Sequence, residues 1–396
     1  MIKTRILFLG LVLVAVVALC PNKGLGDTAV AAKPIRDAAE RLTNAVLDYD
    51  RTSISFGEIK NGSNASGNSG PGIRAELMLA FQEVNRLRRH DGKKHVSIDG
   101  QSSLKVSGVN SVIDHPDDLG RNERERLLSV EVKVKVMDGA EAVQDLTFFL
   151  NRGRDVVVAS GLTVQLDPDG GRRDNHIAIR KVIKKINPDA GQKTTPTFTV
   201  EGTKIKTSAS SPFAVELVTC SAIPGSRNYT PRGPRSNTDS LPFVPINTGE
   251  IYGVKIYNNA DHDIAVGLKI DGIDQFTFSE DKDPRTGRPR FSTWIIRKKT
   301  AFTIKGWHRT SDPSRVKEAL AAFKVMKYGE GVFSEFASHE NMADVGVIAV
   351  SIAKSHPPGS RATGETGFGP PVEQAQKVIQ CPIDPPHEFI SIRYNR

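Results

Sequence analysis

Three carboxylates lie close together after a predicted strand, at Glu280, Asp281 and Asp283. Carboxylate oxygens suit a hard cation such as calcium, which takes roughly six to eight oxygen ligands. The segment lacks the spacing of a calcium-binding loop, and basic residues alternate with the acids as far as Arg290. We therefore predict a solvated hairpin loop of mixed charge, and no metal site.

A histidine could act as a general base if a nucleophile or a second acid lay beside it. The sequence Trp307-His308-Arg309 follows a predicted strand, but its surroundings offer no such partner. We interpret Trp307 as a packing residue, and His308 and Arg309 as groups that position a turn. The chain also lacks a Gly-Lys-Ser/Thr phosphate loop, a His-Glu-x-x-His zinc motif and a Gly-x-Ser-x-Gly motif. It predicts no catalytic residue and no cofactor.

A glycine-rich stretch from Gly67 to Gly72 precedes a predicted helix. The N–H groups of a helix N-terminus can bind an anion. The stretch has neither the lysine nor the spacing of a phosphate-binding motif, so a flexible loop that caps the helix is the preferred interpretation.

Basic residues cluster after this second helix, and the candidate anion-binding set comprises Arg86, Arg88, Arg89, Lys93 and Lys94. One interpretation is a grip on an anionic cell-wall or extracellular polymer. The other, which we favour, is the ordinary preference of a helix C-terminus for positive charge. The net charge of +9 fits either one, and a solvated basic surface that promotes solubility is the plainest interpretation.

The first 31 residues are typical of an export signal. Lys3 and Arg5 precede an apolar run from position 6 to position 19. A membrane span needs about 20 apolar residues, whereas a signal needs about 7–15. We predict a cleaved signal peptide over 1–26, with a cut as late as 31, and a secreted or periplasmic protein. An uncleaved or lipid-linked N-terminus is the alternative, disfavoured because Leu19 precedes Cys20 where a small residue is required.

Signal cleavage would leave two cysteines, Cys220 and Cys381. An oxidising compartment makes them a candidate disulfide. The alternative is a pair of buried free thiols, which is common for cysteine in protein cores.

The apolar patterns predict an α+β protein with an N-terminal α/β sandwich-type domain and a mainly antiparallel β-sandwich domain. The first domain covers 34–190, with helices at 34–48, from Pro71 onward and at 174–186, and strands near 54–56, 96–99, 103–113 and 129–137. A linker follows at 191–212, within which 197–206 could form a strand or hairpin.

The second domain covers 213–396. Its predicted strands include one at Phe276–Phe278 and a final one at 388–394. One helical insert is predicted, with Asp312 as N-cap and Val316, Leu320 and Phe323 on one face. The tail from 355 to 387 is rich in loops.

Two resemblances accompany these patterns. The segments 252–259, 266–272, 304–310, 322–323 and 345–350 resemble an uncharacterised family of secreted bacterial β-domains. That likeness implies a compact β-sandwich, and it brings no established activity and no catalytic residue.

The first half resembles the α/β domain of curli-secretion and penicillin-binding-protein-activator lipoproteins, through the strand 53–57, the helix start at 70–73 and the strand 130–136. This likeness implies a non-enzymatic role in the cell envelope. The chain departs from those lipoproteins because it lacks their lipid-attachment motif.

These observations predict an exported, non-enzymatic envelope protein that binds a protein or glycan partner. They predict no nucleic acid partner and no membrane span after signal cleavage. The alternative is a hydrolase acting on an extracellular polymer. It would need a cleft that brings together two carboxylates, or a nucleophile and its base, from distant positions.

Overall fold

The computed structural model describes residues 17–21, 33–62, 69–122, 126–186, 196–220, 228–235, 241–327, 330, 346–356, 376–378 and 381–394. About 23% of the chain is helix and 41% is strand, with several antiparallel sheets, which makes this an α+β protein.

The first half of the chain alternates between helices and strands. In order these are β1 (Val17–Pro21), α1 (Lys33–Asp48), β2 (Ser53–Asn61), α2 (Ser69–His90), β3 (Ser97–Ile98), β4 (Leu104–Asp114), β5 (Leu128–Asp138), β6 (Glu141–Leu150), α3 (Gly153–Ala159), β7 (Val164–Gln165) and α4 (Arg172–Ile186).

The second half consists mainly of strands. These are β8 (Thr199–Glu201), β9 (Lys204–Lys206), β10 (Phe213–Cys220), β11 (Thr230–Arg232), β12 (Ile251–Asn258), β13 (Ile264–Ile270), β14 (Ile273–Asp274), β15 (Phe291–Ile296), β16 (Thr300–Ile304), β17 (Gly306–His308), β18 (Leu320–Lys324), β19 (Val347–Lys354), β20 (Gln376–Val378) and β21 (Glu388–Arg393).

The first hydrophobic core is built by helices and one sheet of the order β3-β2-β4-β5-β6. The predicted periodicities are confirmed here. Helix α1 buries Ile35, Leu42 and Val46 along one stripe. Strand β5 buries its valines while Lys133 and Lys135 face solvent, as its alternating sequence predicts.

The second hydrophobic core lies between two larger sheets. We call the sheet β20-β1-β15-β13-β19-β21-β7 the middle sheet, and the sheet β17-β18-β12-β10-β9-β8 the outer sheet. Val215 and Val254 of the outer sheet and Val266 and Val350 of the middle sheet all belong to this core.

The middle sheet buries residues on both of its faces. Ile390 and Ile392 of β21 belong to the second core, whereas their neighbour Phe389 belongs to the first. Strand β7, from the first half of the chain, pairs with β21. The middle sheet therefore lies between the two cores.

Several predicted elements differ in the structure. The 197–206 segment is the hairpin β8–β9, with Gly202 at a φ of 63° in its turn, and β9 pairs with β10. The predicted linker therefore contributes two strands to the outer sheet. Phe276 lies in a turn rather than in a strand. These differences arise because neighbouring strands and turns, not the local pattern, decide the backbone of short segments.

The predicted helical insert is only partly present. Asp312 caps a short 3₁₀ helix at Pro313–Glu318, and its side chain accepts a hydrogen bond from the Ser314 N–H. Leu320 and Phe323 then lie in β18, which pairs with β17 and β12. The open edges of those strands provide hydrogen-bond partners that a helix would forgo.

The N-terminal strand β1 pairs antiparallel with β15 and parallel with β20. It lies within the predicted signal peptide, so cleavage at 26–31 would remove it from the middle sheet. Both predicted cut sites lie outside the described residues. Among the residues that the structure describes, no helix is long and apolar enough to cross a membrane.

Candidate functional site

A cavity of about 260 Å³ lies between helices α2 and α3 and the face of the middle sheet turned toward the first core. Its floor is made of small residues on adjacent strands, Gly267 on β13 and Ala349 and Ser351 on β19. A Cβ added at Gly267 would lie only 2.7 Å from the Ser351 Oγ atom. Larger side chains on these strands would fill the space between sheet and helices.

One end of the cavity is closed by two glycines. A Cβ added at Gly72 on α2 would lie 3.4 Å from the Cα atom of Gly272. Gly272 adopts a φ of 80° in the turn between β13 and β14, a conformation that favours glycine. The helix and the sheet therefore approach each other closely at this point.

Helix α2 carries two ion pairs along the side that faces the middle sheet, the first partly exposed and the second buried. Glu76 Oε1 lies 3.0 Å from the Nζ atom of Lys269 on β13. One spacing of seven residues further along, Glu83 Oε2 lies 2.5 Å from the Nε atom of Arg288. The ammonium of Lys269 holds the pKa of Glu76 below its usual value despite burial.

Asp274 on β14 is a further acid in the cavity wall. Burial raises the pKa of its carboxyl group to about 7, although Lys269 lies near it and its Oδ1 accepts a 2.8 Å hydrogen bond from the Phe276 N–H. Near neutral pH this group exists in both protonation states.

Asp155 on α3 is the third acid of the wall. Burial raises its pKa, more than the guanidinium groups of Arg154 and Arg152 lower it. The Nε atom of Arg154 is 3.7 Å from Oδ1, too far for a hydrogen bond. The Oδ2 atom is buried and has no hydrogen-bond partner among the described residues.

The candidate anion-binding cluster lies at the exposed end of α2, away from this cavity. Arg86 donates to the Pro284 carbonyl at 2.9 Å, and Arg88 donates to the Lys94 carbonyl at 2.8 Å. Arg89 donates to the ring of His95 at 3.1 Å. These contacts tie arginines to nearby backbone and loops.

Two lysines complete that cluster. Lys93 and Lys94 are both exposed, and Lys93 Nζ is 3.7 Å from a carboxylate oxygen of Asp91. The arrangement suits the preference of a helix C-terminus for positive charge, the interpretation favoured from the sequence. Contact with an anionic polymer, the other interpretation, stays a prediction.

The acidic loop contains the local contacts expected of a mixed-charge turn. Glu280 pairs with Arg309 at 3.2 Å and with Arg315 at 2.7 Å. Asp283 Oδ1 accepts hydrogen bonds from the N–H groups of Arg285 and Thr286. Within the described ranges, no group of three or more His, Cys, Asp or Glu side chains is arranged to hold a metal ion.

His308 is fully buried and does not line the cavity. Its Nδ1 atom lies 3.0 Å from the Oγ atom of Ser279, and the rings of Phe276 and Trp294 pack against it. Ser279 is buried as well. A histidine next to a serine is a pairing that sequence separation concealed, and neither residue lines the cavity.

The N-terminus of α2 is already capped. The Gly70 N–H donates to Asn61 Oδ1 at 2.9 Å, and Ser69 Oγ donates to Asn110 Oδ1 at 3.0 Å. Gly70 and Gly72 therefore lie in the first turn of α2, as the predicted helix start requires. Gly67 lies outside the described residues.

The predicted disulfide is absent: Cys220 and Cys381 are both buried and are not bonded to each other. Cys220 ends β10 in the outer sheet, whereas Cys381 packs with Ala265 and Ile295 on the face of the middle sheet turned away from the second core. The second core separates the two thiols, so the alternative of two buried free cysteines is correct for this structure.

Sequence reasoning missed the cavity because its walls come from distant segments. Two signals were present in β13, whose sequence is Ile-Ala-Val-Gly-Leu-Lys-Ile. A glycine inside a strand often marks a close approach of another element, and Lys269 is a charge in an otherwise apolar strand. No protein family model matches the chain, and no curated protein matches it either.

Proposed function

We propose that this protein is an exported, non-enzymatic binding protein of the cell envelope, and that the cavity between α2, α3 and the middle sheet receives one group of its protein or glycan partner. The observation that carries the proposal is the cavity itself, about 260 Å³ in volume and walled mainly by apolar side chains with a few polar groups. Binding sites for small groups commonly have this composition. Helices α2 and α3 meet the middle sheet at this site, and ligands commonly bind where two packed units of a protein meet.

The proposal is tested by screening small fluorinated fragments by ¹⁹F NMR against the full chain and an Ala349→Leu variant. A leucine at 349 would project into the cavity, because Ala349 is part of its floor. The matched control is Ala301→Leu, the same change at an exposed position of β16. We expect fragments that bind the wild type and the control but not Ala349→Leu. Binding that is absent, or unchanged in Ala349→Leu, would contradict the proposal.

Export is tested on the protein recovered from the cells that produce it. The predicted signal cleavage gives an N-terminus between positions 27 and 32. Recovery of a chain that still carries residues 17–21 would contradict cleavage, and would mean that β1 remains part of the middle sheet.

The alternative, a hydrolase acting on extracellular polymer, is supported by one observation. The cavity brings together Glu76, whose pKa is lowered, and Asp274 and Asp155, whose pKa values are raised. Carboxyl groups with pKa values pushed apart are the usual composition of an acid–base pair. Measured release of sugars or peptides from cell-wall material, lost in Asp274→Asn and in Asp155→Asn, would establish this alternative. Under the binding proposal, the polymer is recovered intact.

A further inference from the structure

The acids in the cavity wall are unequally paired. The ionisable residues that line it are Glu76, Asp155, Asp274, Arg154, Lys269 and Arg288. Arg288 is held by Glu83, which does not line the cavity. Glu76 pairs closely with Lys269, whereas the Nε atom of Arg154 is 3.7 Å from Asp155 Oδ1, too far for a hydrogen bond. Asp155 is therefore an acid with only a loose counter-charge.

The buried polar atoms of the wall residues include three oxygens without a hydrogen-bond donor in the described part of the chain. Asp155 Oδ2, Ser292 Oγ and Thr293 Oγ1 are buried and have no hydrogen-bond partner among the described residues. These residues all line the cavity. A buried oxygen without a donor costs about 1–3 kcal/mol, so a ligand group that donates hydrogen bonds would recover free energy here. A carboxylate can only accept, which favours a donor in the ligand.

The remainder of the wall favours an apolar ligand body. Ile73 and Leu79 of α2 and Val157 and Val158 of α3 line the cavity opposite the small-residue floor. An apolar cavity of about 150 Å³ is known to hold benzene, so one of 260 Å³ should accept a ligand of about ten heavy atoms.

Building on the proposed binding function, we infer that the cavity selects a ligand with a compact apolar body and a primary ammonium head, and that Asp155 receives the ammonium. The ammonium supplies three donors and a positive charge beside Asp155, whose own counter-charge is loose. A hydroxyl head would satisfy an oxygen of Asp155 but would add no positive charge there. A carboxylate head would add a fourth negative group to the wall.

This inference is tested by calorimetric titration of the full chain with three probes of the same shape. These are 2-phenylethylammonium, neutral 2-phenylethanol and anionic 3-phenylpropionate. We expect the ammonium to bind about tenfold more tightly than the alcohol, the ratio that one charge-assisted hydrogen bond supports, and the carboxylate to bind most weakly. A tripeptide that begins with phenylalanine carries the same ring and ammonium, and its affinity relative to the free amine distinguishes a peptide N-terminus from a free amine as the natural source.

Substitutions separate a direct contact from a general effect on folding. Asp155→Asn should lower the affinity for the ammonium probe to that for the alcohol. Its affinity for the alcohol should stay within about twofold of the wild-type value. Thr293→Val removes a hydroxyl at nearly constant shape. It should weaken binding of the ammonium probe by less than Asp155→Asn does. Equal weakening of all three probes in Asp155→Asn would overturn the assignment.

The wild-type titration distinguishes the inference from the function on which it rests. If the alcohol or the carboxylate binds as tightly as the ammonium, and Ala349→Leu abolishes that binding, the cavity is a binding site but the ammonium inference is wrong. If no probe binds the wild type, and no fluorinated fragment does, the proposed function fails together with the inference.

Discussion

Helix α2 carries charge in two regions, and they behave differently. At its exposed end, Arg88 and Arg89 bond to nearby loop and side-chain atoms, and Lys93 lies in solvent just beyond it. Along its middle, Glu76 and Glu83 face the middle sheet and pair with Lys269 and Arg288, which are about 200 positions away in the chain. A run of like charges in sequence marks a solvated surface here, whereas single charges among apolar residues mark the site. We therefore expect substitutions at the middle of α2 to have large effects and substitutions at its end to have small ones.

The largest effect is expected from Arg288→Met. The side chains of Arg288 and Glu83 are only 13% and 5% exposed, so removing the guanidinium leaves a buried carboxylate without a counter-charge. Breaking such a pair costs about 3–5 kcal/mol in the free energy of unfolding, measured by urea denaturation.

The control for this change is the double variant Glu83→Gln with Arg288→Met, which leaves no buried charge. It should regain most of the lost stability. A loss of less than about 1 kcal/mol in Arg288→Met would mean that this pair behaves like a surface pair, and would remove the contrast between the two regions.

The second effect concerns Asp274, whose pKa is raised to about 7 by burial in the presence of Lys269 and Glu76. Between about pH 4 and pH 7 the folded state holds a proton that the unfolded state has lost. Stability therefore falls as pH rises through this window, and it levels off above pH 7. Asp274→Asn cannot ionise, so its stability relative to the wild type should rise by about 4 kcal/mol from pH 4 to pH 8.

The comparison must be made as variant against wild type at each pH. Burial lowers the pKa of His176 to about 4, so that residue titrates in the same window with the opposite sign. A constant difference between Asp274→Asn and the wild type across pH 4–8 would show that the Asp274 carboxyl group is not perturbed.

The smallest effect is expected at the exposed end of α2. The double variant Arg88→Gln with Arg89→Gln should lower the free energy of unfolding by less than about 1 kcal/mol, because exposed contacts contribute little. It should also leave binding of 2-phenylethylammonium unchanged. Loss of salt-dependent binding to anionic cell-wall polymer in this variant would instead support the polymer interpretation of the cluster.

The sequence predicted those parts of the fold in which one local pattern repeats. The stripe of α1 and the alternation of β5 specify element type and buried face on their own. Helix α3 was not predicted, because its Val156-Val157-Val158 run resembles a strand, and packing in the first core overrides that preference. The predicted disulfide was wrong, because neither an oxidising compartment nor an even number of cysteines indicates which sheet carries each thiol.

The candidate site could not be predicted for a related reason. Its acids come from α2, α3 and β14, and its cations come from α3, β13 and the segment before β15. Each of these residues is unremarkable in its own segment. Only the packing of the helices against the middle sheet brings Asp155 and Asp274 within electrostatic reach of Lys269.

The most direct measurement is a crystal structure of the protein grown with saturating 2-phenylethylammonium. We expect the phenyl ring between α2 and the floor of the middle sheet at Ala349, with its ammonium within about 3 Å of the Asp155 carboxylate. An empty cavity, or an amine bound only at another surface, would contradict the claim that this cavity is the binding site.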